Sequence, residues 1–273
     1  MADSVIKRVI TSLTVLSAVF CILFLLPNWA FCILTTFFVA AALYEFFSIV
    51  EKKGVVVYKY YGILIGIVIP IAVYFQKGEG YSNMEPLFIV ITCLFAFILQ
   101  LARRDRAQNH LTSIAILLFA LFYISWFLSF VIKIKFLHEG AKLVTFLVIV
   151  TKGGDVGAYF IGKYFGKHPL IPRISPHKTK EGAIGGLMSC VILALLSKGI
   201  LVDFPYTRLL FLGFLFGILG QIGDLAESLF KRDFDAKDSS RALPGLGGML
   251  DTIDSLLFTA PIFYFYLNIK NLF

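Results

Sequence analysis

The chain has 273 residues, of which 59% are hydrophobic and 15% charged, with a mean hydropathy of +0.86. Soluble domains carry roughly 25% charged residues, so this composition excludes an ordinary soluble protein and points to one that lives in lipid. The formal net charge of +8 requires no nucleic-acid partner, because basic residues beside membrane spans orient a chain and attract anionic lipid.

Apolar stretches of roughly 17 to 25 residues are the length of a membrane-crossing helix. They predict nine spans, near 9–26, 29–50, 60–76, 86–102, 111–131, 142–162, 182–201, 208–229 and 251–268. Several hold Phe and Leu together without the period-two alternation that the strands of a membrane barrel would show. The expected fold is therefore an all-α, polytopic integral membrane protein. The first span follows Lys7 and Arg8, but its apolar run is longer than a secretory signal's core. "FLLPNWAFC" also lacks a small-x-small cleavage site, so the helix is expected to be retained. Cys21, Cys32, Cys93 and Cys190 all fall inside apolar spans without CxxC spacing, and read as packing residues rather than zinc ligands or disulfides.

With nine spans the loops alternate sides, placing 17 Lys and Arg residues on the N-terminal side and seven on the other, with Lys152 inside a span. The positive-inside rule then assigns a cytoplasmic N-terminus and an outside C-terminus. The expected organisation is an N-terminal region of about five spans over 1–140, followed by a catalytic region over 141–273. The latter has two cytoplasmic loops, near 163–181 and 230–250. The absence of an Arg-rich presequence favours a bacterial-type plasma (inner) membrane.

Taken in chain order, the first polar residue deep in a span is Glu45, which either reaches the interface or faces the bundle. It is assigned no role. "VTKGGDVGAYFIGKYFGK" then sets Lys152 and Asp155 within the sixth span. A charge at that depth costs at least ~2.5 kcal/mol and is tolerated when it faces protein or a watery cavity. Asp155 is thus either a site residue or half of a self-neutralising pair with Lys152, three residues away on one helical face. The adjoining loop, "HPLIPRISPHKTKEGAIGG", carries three prolines that exclude a helix. Lys178 and Lys180 make it either a phosphate-binding surface or an ordinary basic loop. No GxxxxGK[ST] occurs, so P-loop chemistry is excluded. Among the histidines (His110, His138, His168 and His177), no metal-ligand spacing is present, and only His177 is placed to touch a phosphate.

The last polar stretch, "GQIGDLAESLFKRDFDAKDSSRALPGLGGMLDTIDS", gathers Asp224, Glu227, Asp251 and Asp254 near one membrane surface. Each pair is spaced three apart on a helical face. Carboxylates held close repel unless cations intervene. The intervening cations are either Lys231, Arg232, Lys237 and Arg241, or Mg²⁺, which takes one or two carboxylates plus substrate phosphates and water. The second arrangement describes a magnesium-dependent enzyme acting on a phosphorylated substrate at the cytoplasmic interface.

"SLFKRDFDAKDSSRALPGLGGMLDTIDS" resembles the C-terminal signature of the CDP-diacylglycerol synthases, or phosphatidate cytidylyltransferases. "GDVGAYFIGKYFGK", "SPHKTKEGAIGG" and "GQIGDLAESLFKR" extend the resemblance over roughly 150–260, and "ALYEFFSIVEKKG" is similar to the family's early helix end. The resemblance implies cytidylyl transfer from CTP to phosphatidate, with Mg²⁺, in a homodimer whose site is a cytoplasm-facing, lipid-accessible cavity. Carried over by position, Asp224, Asp251 and Asp254 would hold metal. Ser175, Lys178, Ser228, Lys231, Arg232, Lys237 and Asp238 would surround nucleotide and phosphate, and Asp155 matches the family's "DxGAYF" aspartate. Lys231, Arg232, Asp251 and Asp254 are the expected catalytic set, with Lys180 a nucleotide-side residue. Three positions depart from the family: Leu246 stands for its usual His, Thr252 for Arg and Lys180 for Trp. The attacking phosphate monoester is already anionic near neutral pH, so alignment and charge neutralisation suffice and a general base is dispensable. Lys180 is expected to replace the donor missing at Thr252.

Other readings predict different features. CDP-alcohol phosphotransfer spaces its final aspartates four apart, not three as Asp251 and Asp254 are. CTP-dependent polyprenol or phytol kinases and CDP-archaeol-type synthases differ in lipid substrate. An anionic-solute transporter would use Lys152 and Asp155 on a midplane path and calls for inverted repeats, which the halves do not show.

Overall fold

The computed structural model describes residue 14 and residues 17–76, 84–102, 110–234 and 248–269. Residues 17–25 are helical. The helices that follow are α1 (Asn28–Lys52), α2 (Lys59–Phe75), α3 (Met84–Leu101), α4 (His110–Lys135), α5 (Gly140–Phe165), α6 (Lys180–Leu196), α7 (Tyr206–Asp233) and α8 (Met249–Ile269). Each coincides with an expected apolar span to within a few residues. Among the described residues, six helices, α1, α4, α5, α6 with its short 3-10 extension, α7 and α8, are long and apolar enough to cross a membrane. The apolar helices Lys59–Phe75 and Leu87–Leu101 are shorter. The protein is thus a mainly helical, multi-pass membrane protein.

Within this all-α architecture the loop after α5, expected to be non-helical, has regular structure of its own. It folds into an antiparallel hairpin of β1 (Pro169–Ile171) and β2 (Ser175–Thr179). The prolines that exclude a helix there are compatible with extended backbone, and a two-stranded ribbon consists only of edges, where a missing N–H is tolerated.

The chain divides into two compact units, Met1–Phe136 with Phe234–Leu250, and Leu137–Asp233 with Asp251–Phe273. In the first, α2 approaches α1 and α4 at Gly66, where a Cβ would lie 2.1 Å from Leu43 Cδ1 and 2.8 Å from Ser125 Oγ. Small residues at such crossings let helices in lipid gain van der Waals contact. Glu45 turns inward: it is buried, and its two oxygens accept from the backbone N–H groups of Met249 and Leu250 at 2.9 and 3.0 Å. A carboxylate there satisfies donors that a helix start leaves without intrahelical partners.

In the second unit α5, α6 and α7 pack through a seam of small residues. A Cβ at Gly154 would lie 2.2 Å from Cys190 Sγ, and one at Gly186 2.9 Å from Ala158 Cβ. Beside an apolar core that includes Phe146, Phe216 and Phe263, this unit buries polar side chains and exposes aromatic ones. Thr145, Thr151, Glu227, Asp254, Ser255 and Thr259 are each 5% exposed or less, while Phe160, Phe211, Phe214 and Phe265 are about half exposed. Lipid tails solvate such aromatic surface, and polar side chains are drawn to the protein interior.

Candidate active site

Three helices of the second unit bring their charged residues together. α5 supplies Lys152 and Asp155, α7 supplies Asp224, Glu227, Ser228 and Lys231, and α8 supplies Asp251, Asp254 and Ser255. The i, i+3 and i, i+4 spacings within each helix put these side chains on one face. The packing of α7 on α8 at Gly223 joins the faces, since a Cβ there would lie 2.5 Å from the Asp254 carbonyl oxygen.

The ligand atoms of Asp224, Glu227 and Asp254 all lie within 4.8 Å of one another. Three lysines surround them. Lys178 Nζ is 2.7 Å from Asp224 Oδ2 and donates to Ser228 Oγ at 3.4 Å. Lys231 Nζ lies 2.5 Å from Asp251 Oδ1 and 3.3 Å from Glu227 Oε1. Lys152 Nζ contacts Asp155 Oδ2 at 2.9 Å, Asp254 Oδ1 at 3.5 Å and Ser255 Oγ at 2.5 Å. Exposure is graded across the group: the side chain of Asp224 is 40% exposed, those of Asp254 and Glu227 only 7% and 2%. A water-soluble ligand therefore reaches Asp224 first.

Asp224 borders a partly open cavity of about 420 Å³, lined also by Asp155, Ser175, His177, Lys178 and Gln221. The β-hairpin forms one wall of this cavity. It is fastened at its base by Glu181, whose carboxylate accepts from the backbone N–H groups of Lys167 and His168 at 3.1 and 3.2 Å and pairs with His168 Nδ1 at 2.6 Å. Thr179 caps α6 by accepting from Gly182 N at 3.1 Å. At the far end Arg232 Nε donates to Ile174 O at 3.1 Å. Replacing Glu181 with Ala removes three acceptor contacts from one carboxylate. The expected result is severalfold faster tryptic cleavage around Lys167 and Arg173 under native conditions, with α-helical content unchanged.

Of the site residues expected from the sequence, Asp155, Ser175, Lys178 and Asp224 line the cavity, and Ser228, Lys231, Asp251 and Asp254 lie in the adjoining charged cluster. Arg232 is exposed and engaged with the hairpin backbone rather than with a carboxylate. Lys180 is exposed and does not line the cavity. Lys237, Asp238 and Leu246 lie outside the described residues. The carboxylates whose ligand atoms converge are Asp224, Glu227 and Asp254, whereas Asp251 adjoins them through Lys231, which also contacts Glu227. Glu227 was legible as a neighbour of Asp224 at helical spacing. Ser255 and the reach of Lys152 to α8 had no sequence signal beyond adjacency to Asp254 and to Asp155.

This donor set suits a hard cation such as a divalent metal. All three ligands are carboxylates, and Glu227 Oε1 is buried, with Lys231 Nζ 3.3 Å away. Oxygen-only donors with a solvent-accessible side are the environment such ions take.

Comparison with known proteins agrees with this chemistry. A sequence model of the cytidylyltransferase family matches residues 6–270. The phosphatidate cytidylyltransferase of Bacillus subtilis (strain 168) is 35% identical over 268 residues, covering 96% of this chain and 97% of the relative. The phosphatidate cytidylyltransferase of Haemophilus influenzae is 30% identical, with 95% and 98% covered. That of Staphylococcus saprophyticus reaches 46% identity over 126 residues, 45% of this chain and 48% of the relative. With a match running almost end to end, this chain belongs to the cytidylyltransferase family.

Proposed function

We propose that the protein transfers a cytidylyl group from CTP to phosphatidate, giving CDP-diacylglycerol and pyrophosphate. The observation that carries this reading is the meeting of Asp224, Glu227 and Asp254 with Lys178 and Lys231 beside a cavity in a membrane-embedded unit. The family and the names of its relatives support the same substrates.

In this reaction a phosphate oxygen of phosphatidate forms a bond to the α-phosphorus of CTP. The bond from that phosphorus to the bridging oxygen breaks, and pyrophosphate leaves with the electron pair. The nucleophile is already an anion, so the protein's tasks are alignment and neutralisation of charge. Lys178, at the cavity wall, is positioned to exchange Asp224 for a nucleotide phosphate, and Ser175 and Ser228 add hydroxyl donors. Lys231, between Glu227 and Asp251, fixes both carboxylates in place. Asp224, Glu227 and Asp254 would hold Mg²⁺, with Asp251 supporting them. When bound, that ion supplies Lewis-acid stabilisation of phosphoryl charge. Arg232 and the segment with Lys237 and Asp238 complete the proposed nucleotide side, and Lys180 contributes positive potential at the cavity mouth.

The finer organisation belongs to the same proposal. It has nine spans, a cytoplasmic N-terminus and an outside C-terminus, and a homodimer in a bacterial inner membrane. The region 1–140 would form a membrane-embedded scaffold, and 141–273 would carry the catalytic loops at the cytoplasmic face. This placement lets the lipid headgroup enter the site while its tails stay in the bilayer, avoiding about 0.8 kcal/mol per extracted CH₂. The test is pyrophosphate release by purified protein in detergent. Release should require CTP, phosphatidate and Mg²⁺ together, with CDP-diacylglycerol as the lipid product. A phosphorylated polyprenol or phytol product, or release indifferent to lipid, would sink the reading.

A further inference from the structure

We propose that Lys152 is the site's fixed second cation, standing where a second metal ion would otherwise be needed, so that the carboxylate cluster takes a single divalent ion. This rests on the reading that Asp224, Glu227 and Asp254 hold a divalent metal.

The geometry of Lys152 goes beyond that of a pair within one helix. Its ammonium is 2.9 Å from Asp155 Oδ2 on its own helix, and reaches α8 at Ser255 Oγ (2.5 Å) and Asp254 Oδ1 (3.5 Å). Ser255 completes a closed arrangement: its hydroxyl accepts from Lys152 and donates to Asp155 Oδ2 at 2.9 Å, and its backbone N–H donates to Asp254 Oδ1 at 2.6 Å. Asp254 Oδ1 is thus held by an ammonium and an amide, and the carboxylate keeps its other oxygen for a cation. A divalent ion bridging Asp155 and Asp254 would meet the ammonium at contact range.

The charge balance points the same way. Among the described residues, the ion-paired cluster itself joins five carboxylates, Asp155, Asp224, Glu227, Asp251 and Asp254, to three ammonium groups, Lys152, Lys178 and Lys231, a balance taken at formal charge. The deficit of two positive charges is what one divalent ion supplies. Without Lys152 the deficit rises to three, and Asp155 and Asp254 lose the only cation the structure places between them among those residues. A helix-internal neutralising couple accounts for the contact with Asp155; it accounts for neither the ammonium's contacts with α8 nor the part Ser255 plays.

The experiment counts bound Mn²⁺ per chain in purified, detergent-solubilised protein without nucleotide, by electron paramagnetic resonance titration. It is run on the parent, Lys152→Met and Lys152→Arg, with thermal unfolding to confirm each fold. The expected result is one Mn²⁺ in the parent, a second in Lys152→Met, and a return to one in Lys152→Arg. A purely structural role for Lys152 would leave the count at one in the Met variant and overturn the proposal. Two ions in the parent overturn it from the parent alone, whatever becomes of the variants. If that parent also releases pyrophosphate in a CTP-, lipid- and metal-dependent way, the transferase reading stands while the role of Lys152 falls. No bound Mn²⁺ in the parent overturns both the role of Lys152 and the metal site on which it rests.

Discussion

Asp254→Asn is expected to lower CTP- and phosphatidate-dependent pyrophosphate release by about 100-fold or more, the scale on which removing one preorganised electrostatic contact acts in an active site. The substitution is nearly isosteric, and the amide oxygen can still accept from the Ser255 N–H, which now meets Asp254 Oδ1 at 2.6 Å. What changes is charge. Asp254 is one of three carboxylates whose ligand atoms lie within 4.8 Å of one another, and its side chain is 7% exposed, so solvent does little to compensate. The amide either turns its NH₂ toward a bound cation or offers a neutral oxygen where an anion stood. Lys152 keeps Asp155 and Ser255 as partners, so the fold should survive. The check is turnover against Mg²⁺ concentration, with thermal unfolding in parallel. Activity within a few-fold of the parent, at the parent's metal requirement, would remove Asp254 from the site.

The positions of the helices were legible because a bilayer imposes one rule, a long apolar run between polar ends, and α1 to α8 all follow it. The hairpin was legible only as the absence of helix. Pro169, Pro172 and Pro176 exclude helical backbone without specifying what replaces it, and the pairing of Pro169 with Thr179 is a tertiary fact. The site divided in the same way. Helical spacing placed Asp224 beside Glu227 and Asp251 beside Asp254, but two pairs of equal spacing cannot say which members face each other across two helices. That is decided by how α7 rotates onto α8, which brings Glu227 into the trio and leaves Asp251 to Lys231. Glu45 shows the same limit: its burial depends on the backbone N–H groups of Met249 and Leu250, more than two hundred residues away. Lys180, expected to stand in for a donor missing at Thr252, instead starts α6 with an exposed side chain, because Thr179 and Glu181 commit its neighbours to capping and clamping.

The rotation of α7 onto α8 depends on Gly223, and Gly223→Ala should show it. A Cβ at that position would lie 2.5 Å from the Asp254 carbonyl oxygen and 3.2 Å from its carbonyl carbon. Both are backbone atoms inside a helix, so no side-chain rotation relieves the clash, and the helices must separate or turn. Overpacking of this kind costs about 1–3 kcal/mol. The larger loss is expected in turnover, because Asp224 and Asp254 are carried by the two segments being pushed apart. A displacement of ~1 Å in a reacting constellation can cost about 10²-fold. Gly220→Ala, less than one turn earlier on α7, is the internal comparison. There a Cβ would meet Thr151 Cγ2 at 3.5 Å and Ser255 Cβ at 3.7 Å, ordinary contact distances. Melting temperature and pyrophosphate release should therefore fall sharply in the first variant and little in the second. Equal losses in both would mean that α7 needs glycine for its own backbone, and that the close approach at Asp254 does not set the geometry of the site.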